Sequence, residues 1–320
     1  MIYTRTDNSI ASFRPKILLL GKTGQIGTEL LPRLREFAEL HATERREVDL
    51  SKSGSIRELV RFLKPDVIIN AAAYTAVDKA ESEPALATAI NTTAPSVLAE
   101  EAARLRALLV HYSTDYVFDG TKSGPYLETD ATNPLNVYGK TKAAGEDGIR
   151  ASGCNHLIFR TSWIYGPRGS NFLLTILRLA REREELRIVD DQIGAPTSSE
   201  AVARATVQAV RQYLSEDPSG ADAKTGTYHM TSAGDVSWFG FASEIVRQCT
   251  TQQLCLRKLI PIPSGEYPTP AQRPLNSRLS CSKLSQEFGI TLSGWQTGLL
   301  SVLDRLTELQ RSAEFAQRET

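Results

Sequence analysis

The apolar run Lys16-Ile-Leu-Leu-Leu20 feeds straight into Gly21-Lys-Thr-Gly24-Gln-Ile-Gly27, and this junction restricts the fold more than any other stretch of the chain. Glycines at these spacings permit a tight turn, close backbone approach and helix–strand packing, with phosphate received at the helix N-terminus. A lone glycine triplet is more often a plain turn. Here Ile26, Leu30, Leu31 and Leu34 follow at helical spacing, so strand, turn and helix read as one unit.

The first half of the chain repeats that unit. Strands are expected at Lys16–Leu20, Glu39–Thr43, Val67–Asn70, 108–112 and 157–160, alternating with helical patterns after Gly24, at 55–63, at 85–105 and from Tyr138 to about Ile149. Short strands alternating with helices require a parallel sheet wrapped on both faces, with ligands at the carboxyl ends of the strands. The expected fold is α/β: a Rossmann-type doubly wound sheet at 16–165, then a smaller C-terminal α/β substrate-binding domain at 166–320, some of whose segments return to the sheet. In that second part 172–183 and 199–214 read as helices and 186–189 as extended. Turn residues make 217–226 a surface loop, five prolines leave 261–274 irregular, and 304–320 is a charged helical tail.

Bulk properties exclude several classes. With 37 basic and 37 acidic residues the formal charge is zero, so no basic surplus points to nucleic acid or an anionic membrane. A 41% hydrophobic content suits a globular chain. No apolar run approaches the roughly 20 residues of a membrane helix. Residues 1–15 carry Arg5, Asp7 and Arg14 and no apolar h-region, which reads as a leading tail rather than a secretory signal. Cys154, Cys249, Cys255 and Cys281 form no Cys-x-x-Cys pair, and His41, His111, His156 and His229 are scattered, so neither a zinc site nor a disulfide framework is expected. The expected location is cytoplasmic, with reduced thiols.

The chemistry-bearing residues fall at the strand ends. Tyr138-Gly-Lys-Thr-Lys142 puts a phenol and an ammonium on one helical face, where the ammonium is expected to lower the phenol's pKa and make it a proton donor near neutrality. By itself this motif is weak; with the upstream glycine turn it points to a nicotinamide-dependent carbonyl reductase. After the second strand, Glu44 can bond an adenosine ribose and Arg45 or Arg46 a 2′-phosphate, the alternative being an exposed charged loop. Asp49 and Leu50 are placed to border the adenine. Small residues in Asn70-Ala-Ala-Ala73-Tyr74-Thr75 allow a cofactor against the backbone or simply close packing. His111-Tyr112-Ser113-Thr114-Asp115-Tyr116-Val117-Phe118 ends the fourth strand, with Tyr112 at the cofactor edge and the Thr114 hydroxyl beside Tyr138. Trp163 offers a flat apolar face with an indole donor, suited to a sugar or base or to the core. Arg273 can pair with a diphosphate or make a structural ion pair.

Taken together, Gly-Lys-Thr-Gly-Gln-Ile-Gly, Asn-Ala-Ala-Ala-Tyr-Thr-Ala-Val-Asp-Lys-Ala-Glu, Tyr-Ser-Thr-Asp-Tyr-Val-Phe, Pro-Leu-Asn-Val-Tyr-Gly-Lys-Thr-Lys, Phe-Arg-Thr-Ser-Trp and Asp-Gln-x-Gly-Ala-Pro-Thr resemble the dTDP-4-dehydrorhamnose reductases, a branch of the extended short-chain dehydrogenase/reductases, from about Lys16 to Trp295. The resemblance implies hydride transfer from NADPH, with NADH also accepted, to C4 of dTDP-4-dehydro-β-L-rhamnose. It implies Thr114, Tyr138 and Lys142 as the catalytic group, and Thr114, Asp115 and Trp163 as sugar-nucleotide contacts. Implied cofactor contacts are Gly24, Gln25, Ile26, Glu44, Asp49, Leu50, Ala73, Tyr74 and Thr75, with Tyr138 and Lys142. Some members of that family hold magnesium with glutamates across a dimer interface. Glu29 and Glu200 match two such positions, whereas Arg305 stands where a third acid is expected, so a metal site is in doubt and a homodimer is an open expectation. Two other readings share the resemblance: a sugar-nucleotide epimerase or dehydratase of the same fold, and a non-catalytic regulatory subunit of methionine adenosyltransferase. Dehydratases of the group show Thr-Asp-Glu where this chain has Thr114-Asp115-Tyr116.

Overall fold

The computed structural model describes residues 14–249 and 254–318; the expected leading tail lies outside them apart from Arg14 and Pro15, as do the last two residues of the expected tail helix. Five of the expected strands form as β1 (Lys16–Leu20), β2 (Glu39–Thr43), β3 (Val67–Asn70), β4 (Leu108–Thr114) and β5 (His156–Thr161). A sixth, β6 (Gly226–His229), comes from the second half and pairs with β5. The order β6-β5-β4-β3-β1-β2 is parallel throughout. Strand order reverses at β1, so the switch-point crevice opens at the carboxyl ends of β1 and β3, directly above the glycine turn.

Alternation along the strands divides the core. Ile17, Leu19, Val67, Ile69, Leu108 and Val110 face one layer, built from helices α1 (Gln25–Arg35) and Ser199–Ser215. Leu18, Leu20, Ile68, Leu109 and Ile158 face the other, which holds Ile56 and Val60 of Ser53–Leu63, several residues of Ala94–Leu105 and Ile149 of α2 (Val137–Ala151). A third apolar cluster joins Phe172–Glu182, Trp238–Gln248 and Trp295–Arg318 through Leu173, Ile176, Phe241, Ile245, Trp295, Leu299 and Val302. This burial starts the last helix nine residues before the expected charged tail.

Three expectations need correction. The segment expected as one helix over 85–105 begins at Pro84 and passes through a π-helical turn at Ala89–Thr93 before resuming at Ala94–Leu105. Pro95 has no N–H to give the carbonyl of Asn91, so the ordinary ladder is broken there. The expected loop at 217–226 contains a short helix, Pro218–Ala223, which the Asp217 side chain caps by accepting from the Gly220 N–H at 2.8 Å. The proline-rich stretch opens inside a strand, Lys258–Ile262, which runs parallel to Glu185–Val189 in a two-stranded pair where Pro261 is tolerated.

One buried ion pair ties α2 to the sheet. Glu146 is fully buried and accepts from Arg160 of β5 at 2.9 and 2.7 Å. Its carboxyl stays below the ordinary range, because the Arg160 bonds and charge outweigh the burial that pushes it upward. Removing one partner leaves the other charge stranded, so Glu146→Ala is expected to cost about 3–5 kcal/mol of unfolding free energy. Urea denaturation followed by circular dichroism measures it, and a loss near ~1 kcal/mol would assign the pair the value of an exposed one.

Candidate active site

The glycine turn is held from below. Gly21 adopts φ +84°, and a Cβ on Gly27 would stand 2.0 Å from the Gly21 carbonyl oxygen, so α1 and β1 approach as only glycine allows. The N–H groups of Gly21 and Lys22 both donate to Thr43 O at 3.0 Å, and Lys22 Nζ reaches Glu47 at 2.7 Å, fastening the turn to the end of β2. No side chain caps α1: Gly24 is the N-cap, and Gly24, Gln25 and Ile26 line the cleft. Uncapped amides above a glycine cradle fit a dinucleotide diphosphate.

The cleft that follows has a volume of about 790 Å³. Among the residues expected at the site, it is lined by Gly21, Gly24, Gln25, Ile26, Glu44, Arg45, Asp49, Leu50, Ala73, Tyr74, Thr75 and Tyr112 along its length, and by Thr114, Asp115, Tyr138, Lys142 and Trp163 at its far end. Gly27 and Arg273 are not among its lining residues. Gly27 packs beneath Gly21. Arg273 donates to Asp78 at 2.8 Å and to Thr269 at 2.6 Å, so it makes the structural pair that was the alternative for it.

At the far end, α2 lays Tyr138 beside the end of β4. Its hydroxyl lies beside that of Thr114, whose own proton goes to Asp115 Oδ1 at 2.8 Å. Asp115 also accepts from Ser162 at 2.9 Å and has Ser277 close by; burial nonetheless pushes its carboxyl up to about 6. Tyr138 departs from the sequence expectation. Burial raises the phenol to about 12, and Lys142 does not counter it. The reason is direction: Lys142 Nζ donates to the Tyr112 carbonyl at 2.5 Å and stands 3.1 Å from His111 Nε2, with burial drawing the ammonium down to about 8 against the Glu146 charge. The arrangement holds a protonated phenol ready to donate, with a hydroxyl and a carboxyl beside it.

Sequence reasoning missed the residues behind this group. Asn91, in the π turn, grips the Tyr74 backbone on both sides, accepting from its N–H at 2.9 Å and donating to its carbonyl at 3.0 Å, and reaches Thr141 at 3.2 Å. It ties the Ala73–Thr75 wall of the cleft to α2, and π turns are concentrated at functional sites. Ser162 and Ser277 arrive from distant segments, and His111 was quoted only as part of a motif. Trp163 has φ +48°, a strained backbone, and stacks on Trp238 at 3.4 Å where it lines the cleft.

Glu29 and Glu200 do come together, around arginine. Glu29, 3% exposed, pairs with Arg305 at 2.6 Å and Arg33 at 3.4 Å, and Arg33 also takes Glu200 at 3.0 Å. Magnesium needs carboxylate oxygens free to complete an octahedron; here guanidinium groups occupy them. Among the described residues no group of three His, Cys, Asp or Glu could hold a metal. These residues do not fit the ion.

Fold and cleft define a Rossmann-type oxidoreductase in which a dinucleotide groove runs up to a half-buried tyrosine and a buried lysine. Comparison with known proteins is more specific. The model of the RmlD substrate binding domain matches residues 15–308, and the chain belongs to that family. A dTDP-4-dehydrorhamnose reductase of Burkholderia thailandensis is 47% identical over 298 residues, covering 92% of this chain and 100% of the relative. That of Escherichia coli K12 is 46% identical over 296 residues, covering 91% and 97%. Among solved structures, the dTDP-4-dehydrorhamnose reductase of Bacillus anthracis in complex with NADP superposes with a TM-score of 0.84 at 31% identity, over 92% of this chain and 100% of that one. No helix among the described residues is long and apolar enough to cross a membrane.

Two outcomes are expected. Arg45 lines the cleft and is exposed, beside half-buried Glu44, so replacing Arg45 and Arg46 with alanine should erode a preference for a 2′-phosphorylated cofactor. An unchanged ratio of kcat/KM for the two nicotinamide cofactors would show that the arginines do not read the phosphate. Extended treatment with EDTA should leave turnover intact, and a loss reversed by magnesium would show the arginine cluster to be displaceable.

Proposed function

We propose that this protein uses NADPH to reduce the C4 ketone of dTDP-4-dehydro-β-L-rhamnose to dTDP-β-L-rhamnose, the last step in forming that sugar nucleotide. The observation that carries the reading is the meeting of Thr114, Tyr138 and Lys142 in one dinucleotide-sized cleft, in a chain 46–47% identical along nearly its whole length to dTDP-4-dehydrorhamnose reductases. The Bacillus anthracis reductase of the same fold carries NADP, which supports NADPH here, with NADH also accepted.

When bound, NADPH supplies the hydride. The backbone of Gly21–Ile26 receives the diphosphate, Glu44 and Arg45 flank the ribose, Asp49 and Leu50 border the adenine, and Ala73–Thr75 with Tyr112 form the wall. Thr114 turns its hydroxyl proton from Asp115 to the C4 oxygen and so orients the ketone. As negative charge develops on that oxygen, the Tyr138 hydroxyl gives up its proton; a phenol that burial keeps protonated does so only to a strong base such as an alkoxide. Lys142 lies one turn along the same helix, and its ammonium supplies the proton that restores the phenol. Asp115 and Trp163 contact the sugar nucleotide, and the segments beyond residue 166 complete that side of the site. Arg273 holds the wall through Asp78.

The competing readings lack support at this site. Tyr116 stands where a dehydratase has glutamate, with its ring against Tyr138 at 6.1 Å and no acid in its place. A regulatory subunit has no use for Thr114, Tyr138 and Lys142 together.

General acid catalysis contributes about 10²–10⁴-fold, so Tyr138→Phe should lose roughly that much kcat with little change in folding. Lys142→Met should cost activity and weaken NADPH binding. Thr114→Val should be milder, losing one orienting bond. NADPH oxidation with the 4-keto sugar nucleotide measures all three, and near wild-type turnover in folded Tyr138→Phe would defeat the mechanism.

A further inference from the structure

His111 is buried in β4, 1% exposed, and lies between two strands and α2 with both ring nitrogens in contact. Nδ1 is 3.2 Å from the Asn70 side-chain nitrogen, and Nε2 is 3.1 Å from Lys142 Nζ. Asn70 fixes which nitrogen carries the proton. Its side-chain oxygen accepts from the Ala72 N–H at 3.3 Å, so its NH2 is the end that faces His111. An NH2 group only donates, so Nδ1 must accept, and the single proton of a neutral imidazole then sits on Nε2, pointing at Lys142. The ring is neutral, since burial and the adjacent Lys142 charge hold its pKa well below the usual histidine value.

An N–H aimed at an ammonium sets two donors face to face, whereas aimed at a neutral amine it meets a lone pair. We infer that His111, with its tautomer locked by Asn70, is a positioning residue that favours the neutral amine of Lys142 and so lets that lysine release a proton in the neutral range. This rests on the reductase reading: reduction consumes one proton, which leaves Tyr138, and the lysine one turn away must pass on its own and be recharged from water for the next turnover. The other charges near Lys142 act differently. Glu146, on the same helix, favours the ammonium, with its own charge shared by Arg160 of β5 and Arg150. Asp115 and Tyr138 lie on the cleft side, and β4 contributes the Tyr112 carbonyl, which accepts from the lysine in either state. Among these contacts His111 is the only one that offers a proton to Lys142.

Two measurements test this. In isotopically labelled wild-type protein without substrate, ring-nitrogen NMR of His111 should show Nε2 protonated and Nδ1 bare, and Lys142 side-chain shifts should titrate. In His111→Phe the Lys142 midpoint should rise by roughly one pH unit, and the basic limb of the kcat/KM profile should move up with it. A purely structural role would lower stability or kcat and leave both midpoints in place. A protonated Nδ1 in the wild type overturns the inference even if the variant fails to fold, and so does an unmoved Lys142 midpoint in a folded variant. Absence of wild-type turnover would count against the reductase reading alone, because the NMR arms need no substrate.

Discussion

Everything at the active end depends on how closely α2 lies against the turn before Ala94–Leu105. A Cβ on Gly145 would stand 2.1 Å from the Asn91 carbonyl oxygen, so the two backbones touch there. Glycine inside a helix costs about 1 kcal/mol relative to alanine, and the chain accepts that cost where Asn91 must reach both the cleft wall and Thr141. The buried Glu146–Arg160 pair then sets the height of α2 on the sheet. With those two contacts in place, Tyr138 falls beside Thr114 and Lys142 beside His111.

Polar groups in this region are arranged in two chains that diverge from α2. One runs from Thr114 through Asp115 to Ser162, with Tyr138 beside Thr114 and Ser277 beside Asp115, a set of acceptors and hydroxyls facing the substrate end. The other runs from Lys142 through His111 to Asn70, within the sheet and away from solvent. Low dielectric strengthens both and makes an unpaired member costly, so each residue in them is closely constrained. The Glu29–Arg33–Glu200–Arg305 cluster is of another kind. It ties the first helix to Ser199–Ser215 and to the last helix by charge alone, away from the chemistry.

Much of this was legible in the sequence because local rules apply to it. Short apolar runs, the glycine turn and helical spacing gave five strands within two residues of their observed ends and placed α1 and α2. Local rules failed where distant segments decide the outcome. β6 was not recognised, since Gly226–His229 is short and becomes a strand only by pairing with β5. The π turn at Ala89–Thr93 is invisible to propensity, because an alanine-rich stretch reads as one helix whatever packs on it. Spacing put Lys142 on the same helical face as Tyr138 and correctly so; it could not show that the ammonium turns toward Tyr112 and His111.

By itself the sequence determined the class of fold, the nucleotide cradle and the identity of the Tyr138–Lys142 couple, since these follow from glycine geometry and from residues a few positions apart on one element. Only the tertiary structure decided the proton states and partners: that burial holds Tyr138 protonated, that Asn70 from β3 dictates the tautomer of His111 on β4, and that Arg305, 276 residues from Glu29, takes that carboxylate. The physical reason is that desolvation and hydrogen-bond direction are properties of the assembled interior. They are set by neighbours from other strands and helices, and no local pattern of residues encodes them.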